Sequence, residues 1–142
     1  MTEIKIGDRT IPMTLSTFEL IAIQDEIGCT VAQLRDDVFG IEKDPETDKV
    51  ELKILNEPQK MKKFGTLIRI LGNAGLEEQG QEPDLTDKWV LRHMKPAMLG
   101  AYVIALLAVI NDAMLMEAGK KEESGPVDEV LEEQNRKKEP GN

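Results

Sequence analysis

Pro96-Ala97-Met98-Leu99-Gly100-Ala101-Tyr102-Val103-Ile104-Ala105-Leu106-Leu107-Ala108-Val109-Ile110 runs for 15 residues without a charge. A bilayer-spanning helix needs about 20 such residues, and Asn111 and Asp112 end the run, so it reads as a buried helix of a soluble protein. The helix extends over about residues 96–118. Met98, Leu99, Tyr102, Val103, Leu106, Leu107, Ile110 and Met114 cover more than one of its faces. A helix apolar on several sides is either central to a fold or covered by another chain. That pattern makes Leu99, Tyr102, Val103, Leu106, Ile110 and Met114 the candidate partner-binding residues. Met94, Met98, Met114 and Met116 form a methionine stripe, read as core filling or as an adaptable surface for apolar partners.

Toward the N-terminus the pattern stays helical. Thr86 caps a short helix carrying Trp89, Val90 and Met94, which Pro96 closes. Before it, Met61, Phe64, Leu67, Ile68 and Leu71 recur at helical spacing, with Asn56 as cap and Pro58 in the first turn. Gly72-Asn73-Ala74-Gly75 is expected to fray its end, and residues 77–83 form a polar loop. Ser16-Thr17-Phe18-Glu19 is a capping-box pattern that opens another helix. Leu15, Phe18, Ile21, Ala22 and Ile27 mark its apolar face, and Gly28 stops it. Thr30 and Gln33 repeat the capping pattern ahead of Val31, Leu34 and Val38, with Gly40 as the stop.

Two segments alternate instead. Ile4 and Ile6, then Gly7-Asp8, then Arg9 to Met13 predict a short hairpin. Residues 41–55, with Val50, Leu52 and Ile54 alternating after a polar turn, read as a second hairpin or a protruding loop. The expected fold is mainly α: about five helices with a short N-terminal β-hairpin. Residues 1–118 form the helical domain. Residues 119–142 are nearly devoid of hydrophobic side chains and form a charged tail expected to be mobile.

Composition narrows the function. The 142 residues carry 40% hydrophobic but only 4% aromatic side chains, a palette of Leu, Ile, Val, Met and Ala that favours helix-on-helix packing. A net charge of −9 opposes nucleic acid as a partner, because that affinity rests on Lys and Arg neutralising phosphates. The basic cluster Lys60, Lys62, Lys63 and Arg69 reads as the solvated face of a helix. No signal peptide is visible at the N-terminus, and the single Cys29 fits a reducing cytoplasm.

No catalytic, cofactor or metal site is expected. His93 lacks a second histidine or placed carboxylate at ligand spacing, so it reads as a helix residue. Cys29 is 64 positions from it and reads as a small core residue. Asp44-x-Glu46-x-Asp48 begins like a calcium loop but has Lys49 where Gly is needed and Leu55 where a bidentate Glu is needed. Glu77, Glu78, Glu82 and Asp84 have nothing apolar around them to raise a carboxyl pKa, and Gly72-x-x-Gly75 has no Gly-Lys-Ser/Thr after it.

Two stretches carry a family resemblance. Residues 13–31, MTLSTFELIAIQDEIGCTV, make an amphipathic helix that ends in an acidic pair, an aliphatic residue and Gly before a Thr-started helix. Residues 63–114 make a helix ending Ile70-Leu71-Gly72-Asn73-Ala74-Gly75-Leu76, an acidic loop, Leu85-Thr86-Asp87 and the long apolar helix, with the charged tail following. This order over residues 1–118 resembles the tail assembly chaperones of long-tailed bacteriophages of Gram-positive hosts; the 41–55 segment is longer than that pattern. The resemblance implies a protein of the host cytoplasm, absent from the finished virion. It would bind and solubilise the tape-measure protein, help recruit tail-tube subunits, self-associate, and be made also in a frameshifted longer form. A small helical adaptor or antitoxin-like regulator, and a structural connector or completion protein of the virion, are the competing expectations. Neither nucleic acid nor membrane is an expected partner.

Overall fold

The computed structural model describes residues 2–43 and 45–119. The chain divides into two units, Met1–Val109 and Ile110–Asn142. In the second, the described residues are the C-terminal part of one helix; of the tail expected over residues 119–142, Gly119 ends that helix and the rest lies outside the described residues.

The first unit opens with the antiparallel pair β1 (Thr2–Ile6) and β2 (Arg9–Met13), in register Ile4 against Ile11 and Ile6 against Arg9. Gly7 takes the left-handed conformation (φ +62°) that the tight turn requires. Ile4, Ile6, Ile11 and Met13 are all buried, so the alternation read from sequence marks the inward face. Next comes α1 (Thr17–Glu26), whose start is fixed by the Ser16–Glu19 capping box. The Ser16 N–H and hydroxyl donate to Glu19 Oε1 at 2.8 and 2.5 Å. These bonds satisfy the one charged side chain that is buried among the described residues. Gly28, at φ +88°, ends the helix by donating to Ile23 and Gln24 carbonyls.

The face of α1 that packs inward differs from the expectation. Phe18 and Ile21 are 76% and 57% exposed, whereas Leu15, Glu19, Ile23 and Ile27 are buried. Those four lie four residues apart on one stripe, and the Glu19 carboxylate can take an inward position because Ser16 holds it.

Thr30 and Gln33 form the second capping box, opening a 3₁₀ turn (Val31–Gln33). It passes into a π-helical turn (Arg35–Phe39) that ends at left-handed Gly40. Leu34, Val38 and Phe39 are buried, and the Phe39 ring meets Phe64 edge-on, centroids 5.8 Å apart. The 41–55 segment does form a second hairpin, β3 (Ile41–Lys43) and β4 (Val50–Leu52), paired antiparallel.

The organising element is α2 (Pro58–Glu78). Its cap position is Glu57, one residue beyond the Asn56 read from sequence, and no side chain caps it; Pro58 takes the first turn as expected. The helix does not fray at Gly72–Gly75 but continues to Glu78. The glycines are packing surfaces. A Cβ on Gly65 would lie 2.6 Å from the Leu91 side chain, one on Gly72 2.6 Å from Leu85, and one on Gly75 2.1 Å from the Pro12 carbonyl oxygen. Only a helix without side chains there lets β2 and the following helix approach so closely. The Thr14 N–H donates to the Leu71 carbonyl at 3.3 Å, tying the hairpin's end to α2.

Thr86 caps α3 (Asp87–His93) by accepting from the Trp89 N–H at 3.0 Å. The Asn73 side-chain amide bonds both backbone groups of Leu85, at 3.2 and 2.9 Å, which fixes the loop before α3 on α2. A 3₁₀ turn (Pro96–Met98) then leads into α4 (Leu99–Gly119). The described chain is thus mainly helical with a short N-terminal hairpin, as the patterning predicts.

Candidate interaction surface

The start of α4 is positioned by Tyr102, whose hydroxyl accepts from the Lys95 N–H at 3.2 Å. Leu99, Tyr102, Val103, Leu106 and Val109 are buried, which makes one stripe along the first half of the helix. Ile110 is also buried, Met114 is 41% exposed, and the side chain of Met116 lies outside the described residues. Of the candidate partner-binding residues, Tyr102, Val103 and Leu106 therefore belong to the interior and present no surface to a partner, while Leu99, also buried, borders a pocket with Pro96.

The open apolar side of α4 is elsewhere. Ile104 is 71% exposed, Gly100 and Ala101 are exposed beside it, and Ala105, Leu107 and Ala108 are half-buried. Sequence periodicity does not single out Ile104, because an apolar residue on every side leaves no polar face to contrast with it. Residues Pro96–Met114 have a mean hydropathy of 1.8 and only 33% of them are buried. By length and composition this helix could cross a membrane, a test that the core helix of a soluble protein also passes.

A second exposed apolar pair, Phe18 and Ile21, lies on α1. Phe18 borders a groove of about 140 Å³ with Ala22, Ile70 and Ala74, and Glu26, Arg69 and Glu77 supply its charged rim. Arg69 links three helices here: it bonds Glu26 of α1 and, at 2.5 Å, Asp87 of α3, which Thr66 also meets at 2.7 Å. A separate pocket of about 260 Å³ is lined by Met61, Leu91, Met94, Pro96 and Leu99, all apolar.

The groups weighed for chemistry have structural surroundings. His93 stacks on Trp89, centroids 4.4 Å apart, with Nδ1 2.9 Å from the Trp89 carbonyl. Arg9 lies over the same Trp89 ring and pairs with Asp84 at 2.7 Å, which holds the Asp84 carboxyl below its ordinary value. Cys29 is buried, and burial, reinforced by Asp37 and opposed by Lys63, pushes its thiol pKa up, away from the reactive thiolate. Lys60 caps the π-helical turn by donating to the Asp36 and Asp37 carbonyls, so the basic cluster on α2 is partly engaged in holding the fold. Among the described residues no three His, Cys, Asp or Glu side chains gather as a metal-ligand set; Asp44 of the calcium-like stretch lies outside them.

Comparison with protein families, with curated proteins and with solved structures finds no match to this chain.

Proposed function

We propose that the chain is a binding protein whose open α4 face receives an apolar helical segment of another protein. The observation that carries the reading is Ile104, a large aliphatic side chain 71% exposed on a helix without a charge between Pro96 and Ile110. Covering such a side chain contributes about 1.5–3 kcal/mol to association, enough for roughly a ten- to hundredfold change in Kd. Gly100 and Ala101 beside it let a partner backbone come close.

The order of elements supports a tail assembly chaperone of long-tailed phages as the biological form of this activity. The client is then the tape-measure protein, kept soluble in the host cytoplasm until tail-tube subunits assemble around it. The net charge of −9 suits a protein that must keep an apolar client in solution. Co-expression with a long helical tape-measure protein of a long-tailed phage, followed by pull-down, tests the reading. Ile104→Asp should abolish co-purification while the thermal midpoint stays unchanged. Co-purification at the wild-type level would reject it.

One observation favours a second reading, a membrane-associated helix: the apolar length of Pro96–Met114. Flotation with lipid vesicles separates the two, since the binding reading predicts that the folded chain stays with the soluble fraction.

A further inference from the structure

The apolar pocket at Met61, Leu91, Met94, Pro96 and Leu99 lies in the first unit, walled by the first turns of α2, by α3 and by the turn into α4. At about 260 Å³ it falls below the usual range for a small-molecule site. Its size suits one or two apolar side chains delivered by a larger molecule. Two of its walls are methionines, which adapt to differently shaped anchors.

The charged residues next in sequence to the lining ones are all basic: Lys60 and Lys62 beside Met61, Arg92 beside Leu91, and Lys95 between Met94 and Pro96. From Pro58 to Leu71 the chain has Lys60, Lys62, Lys63 and Arg69 and no acid; from Lys88 to Met98 it has Lys88, Arg92 and Lys95 and no acid. Two neighbouring carboxylates are paired, Glu57 with Lys60 at 3.8 Å and Asp87 with Arg69. Lys62 is one turn from Gly65, on which Leu91 rests; Lys88 is one turn before Leu91 on α3, and Lys95 lies between the lining residues Met94 and Pro96. Lys62, Lys88, Arg92 and Lys95 are exposed and form no ion pair with a described residue. Exposed cations adjoining in sequence the walls of an apolar pocket thus stand out on a chain of net charge −9.

We infer that this pocket docks an acidic amphipathic segment of a partner protein, with an apolar side chain seated between Met61 and Met94 and carboxylates facing Lys62, Lys88, Arg92 and Lys95. An apolar anchor in a pocket with a charged surround is the usual economy of a small interface: the anchor supplies affinity, and the rim supplies on-rate and selectivity. The site is separate from the open face of α4 around Ile104, so the two surfaces can hold different segments.

Fluorescence anisotropy on the full chain tests this with two labelled helical peptides identical in their leucines, one with Glu at every other position and one with Lys. The Glu peptide should bind at least about tenfold tighter than the Lys peptide, and its affinity should fall in high salt. The triple variant Lys62→Glu, Lys88→Glu, Lys95→Glu changes only exposed side chains, and its fold is checked by circular dichroism. It should reverse the preference. A Glu peptide with its leucines replaced by alanine should lose binding, whereas Ile104→Asp should leave it intact. Equal binding of both peptides, or no binding of the Glu peptide, overturns the inference. So does a triple variant that keeps the original preference, or an Ile104→Asp chain that loses the Glu peptide.

Discussion

Replacing Gly75 by alanine isolates the contact on which the hairpin and α2 depend. A Cβ at that position would stand 2.1 Å from the Pro12 carbonyl oxygen, 2.4 Å from its carbon and 2.8 Å from the Met13 nitrogen. An ordinary carbon–oxygen contact is about 3.3 Å, so β2 and α2 must separate by roughly 1 Å. All three obstructing atoms are backbone, so no side-chain rotation relieves the overlap. Overpacking of this kind costs about 1–3 kcal/mol. The Thr14–Leu71 hydrogen bond, already 3.3 Å long, is stretched further, which removes about 1 kcal/mol. Against these stands the helix propensity of alanine over glycine, about 1 kcal/mol. The net loss is about 1–3 kcal/mol, a thermal midpoint lower by roughly 4–12 °C for a unit of this size. Gly100 is the matched control, because nothing lies within 4 Å of a Cβ there. Gly100→Ala should be neutral or stabilising by up to about 1 kcal/mol. Urea unfolding followed by circular dichroism measures both variants. A Gly75→Ala protein as stable as Gly100→Ala would refute the close approach of α2 to β2.

Further expectations concern the core, the ion pairs and the thiol. Leu106→Asp places a charge at a position with no exposure and should unfold the chain or cost more than about 3 kcal/mol, seen as loss of the cooperative transition, while Ile104→Asp should leave the transition unchanged. Arg69→Met removes links to Glu26 and Asp87; since both carboxylates are 44% exposed, urea unfolding should show a loss of only about 1 kcal/mol. Asp84 has its folded-state pKa depressed by Arg9, so its contribution is present above the unfolded carboxyl pKa and is lost as pH falls through the folded value; Arg9→Met should flatten that acid limb in a pH series of thermal midpoints. Cys29 is the opposite case: its pKa is raised, so stability is full below the unfolded thiol pKa and declines as pH rises toward the folded value, and a thiol reagent at pH 8 should label it rapidly only in denaturant.

Local chemistry was legible in the sequence where a residue acts on its immediate neighbours. The Ser16–Glu19 and Thr30–Gln33 boxes, the stops at Gly28 and Gly40, the Thr86 cap and the Gly7 turn all depend on bonds within a few residues. What was not legible depends on distant contacts. Gly72 and Gly75 look like a helix end until Leu85, Ile11 and Pro12 are brought against them. The α1 sequence offers two apolar stripes, and only packing selects Ile23 over Phe18. On α4 the candidate residues other than Met114 follow correct helical spacing yet are buried, because a helix apolar all round gives no internal cue to its orientation.

The central claim rests on the open side of that helix. Its direct measurement is the amount of a co-expressed long helical tape-measure protein that co-purifies in soluble form with wild-type chain and with Ile104→Asp at equal thermal midpoint. The account predicts a soluble complex with the wild type and none with the variant. Equal recovery with both, or no complex with the wild type, would contradict it.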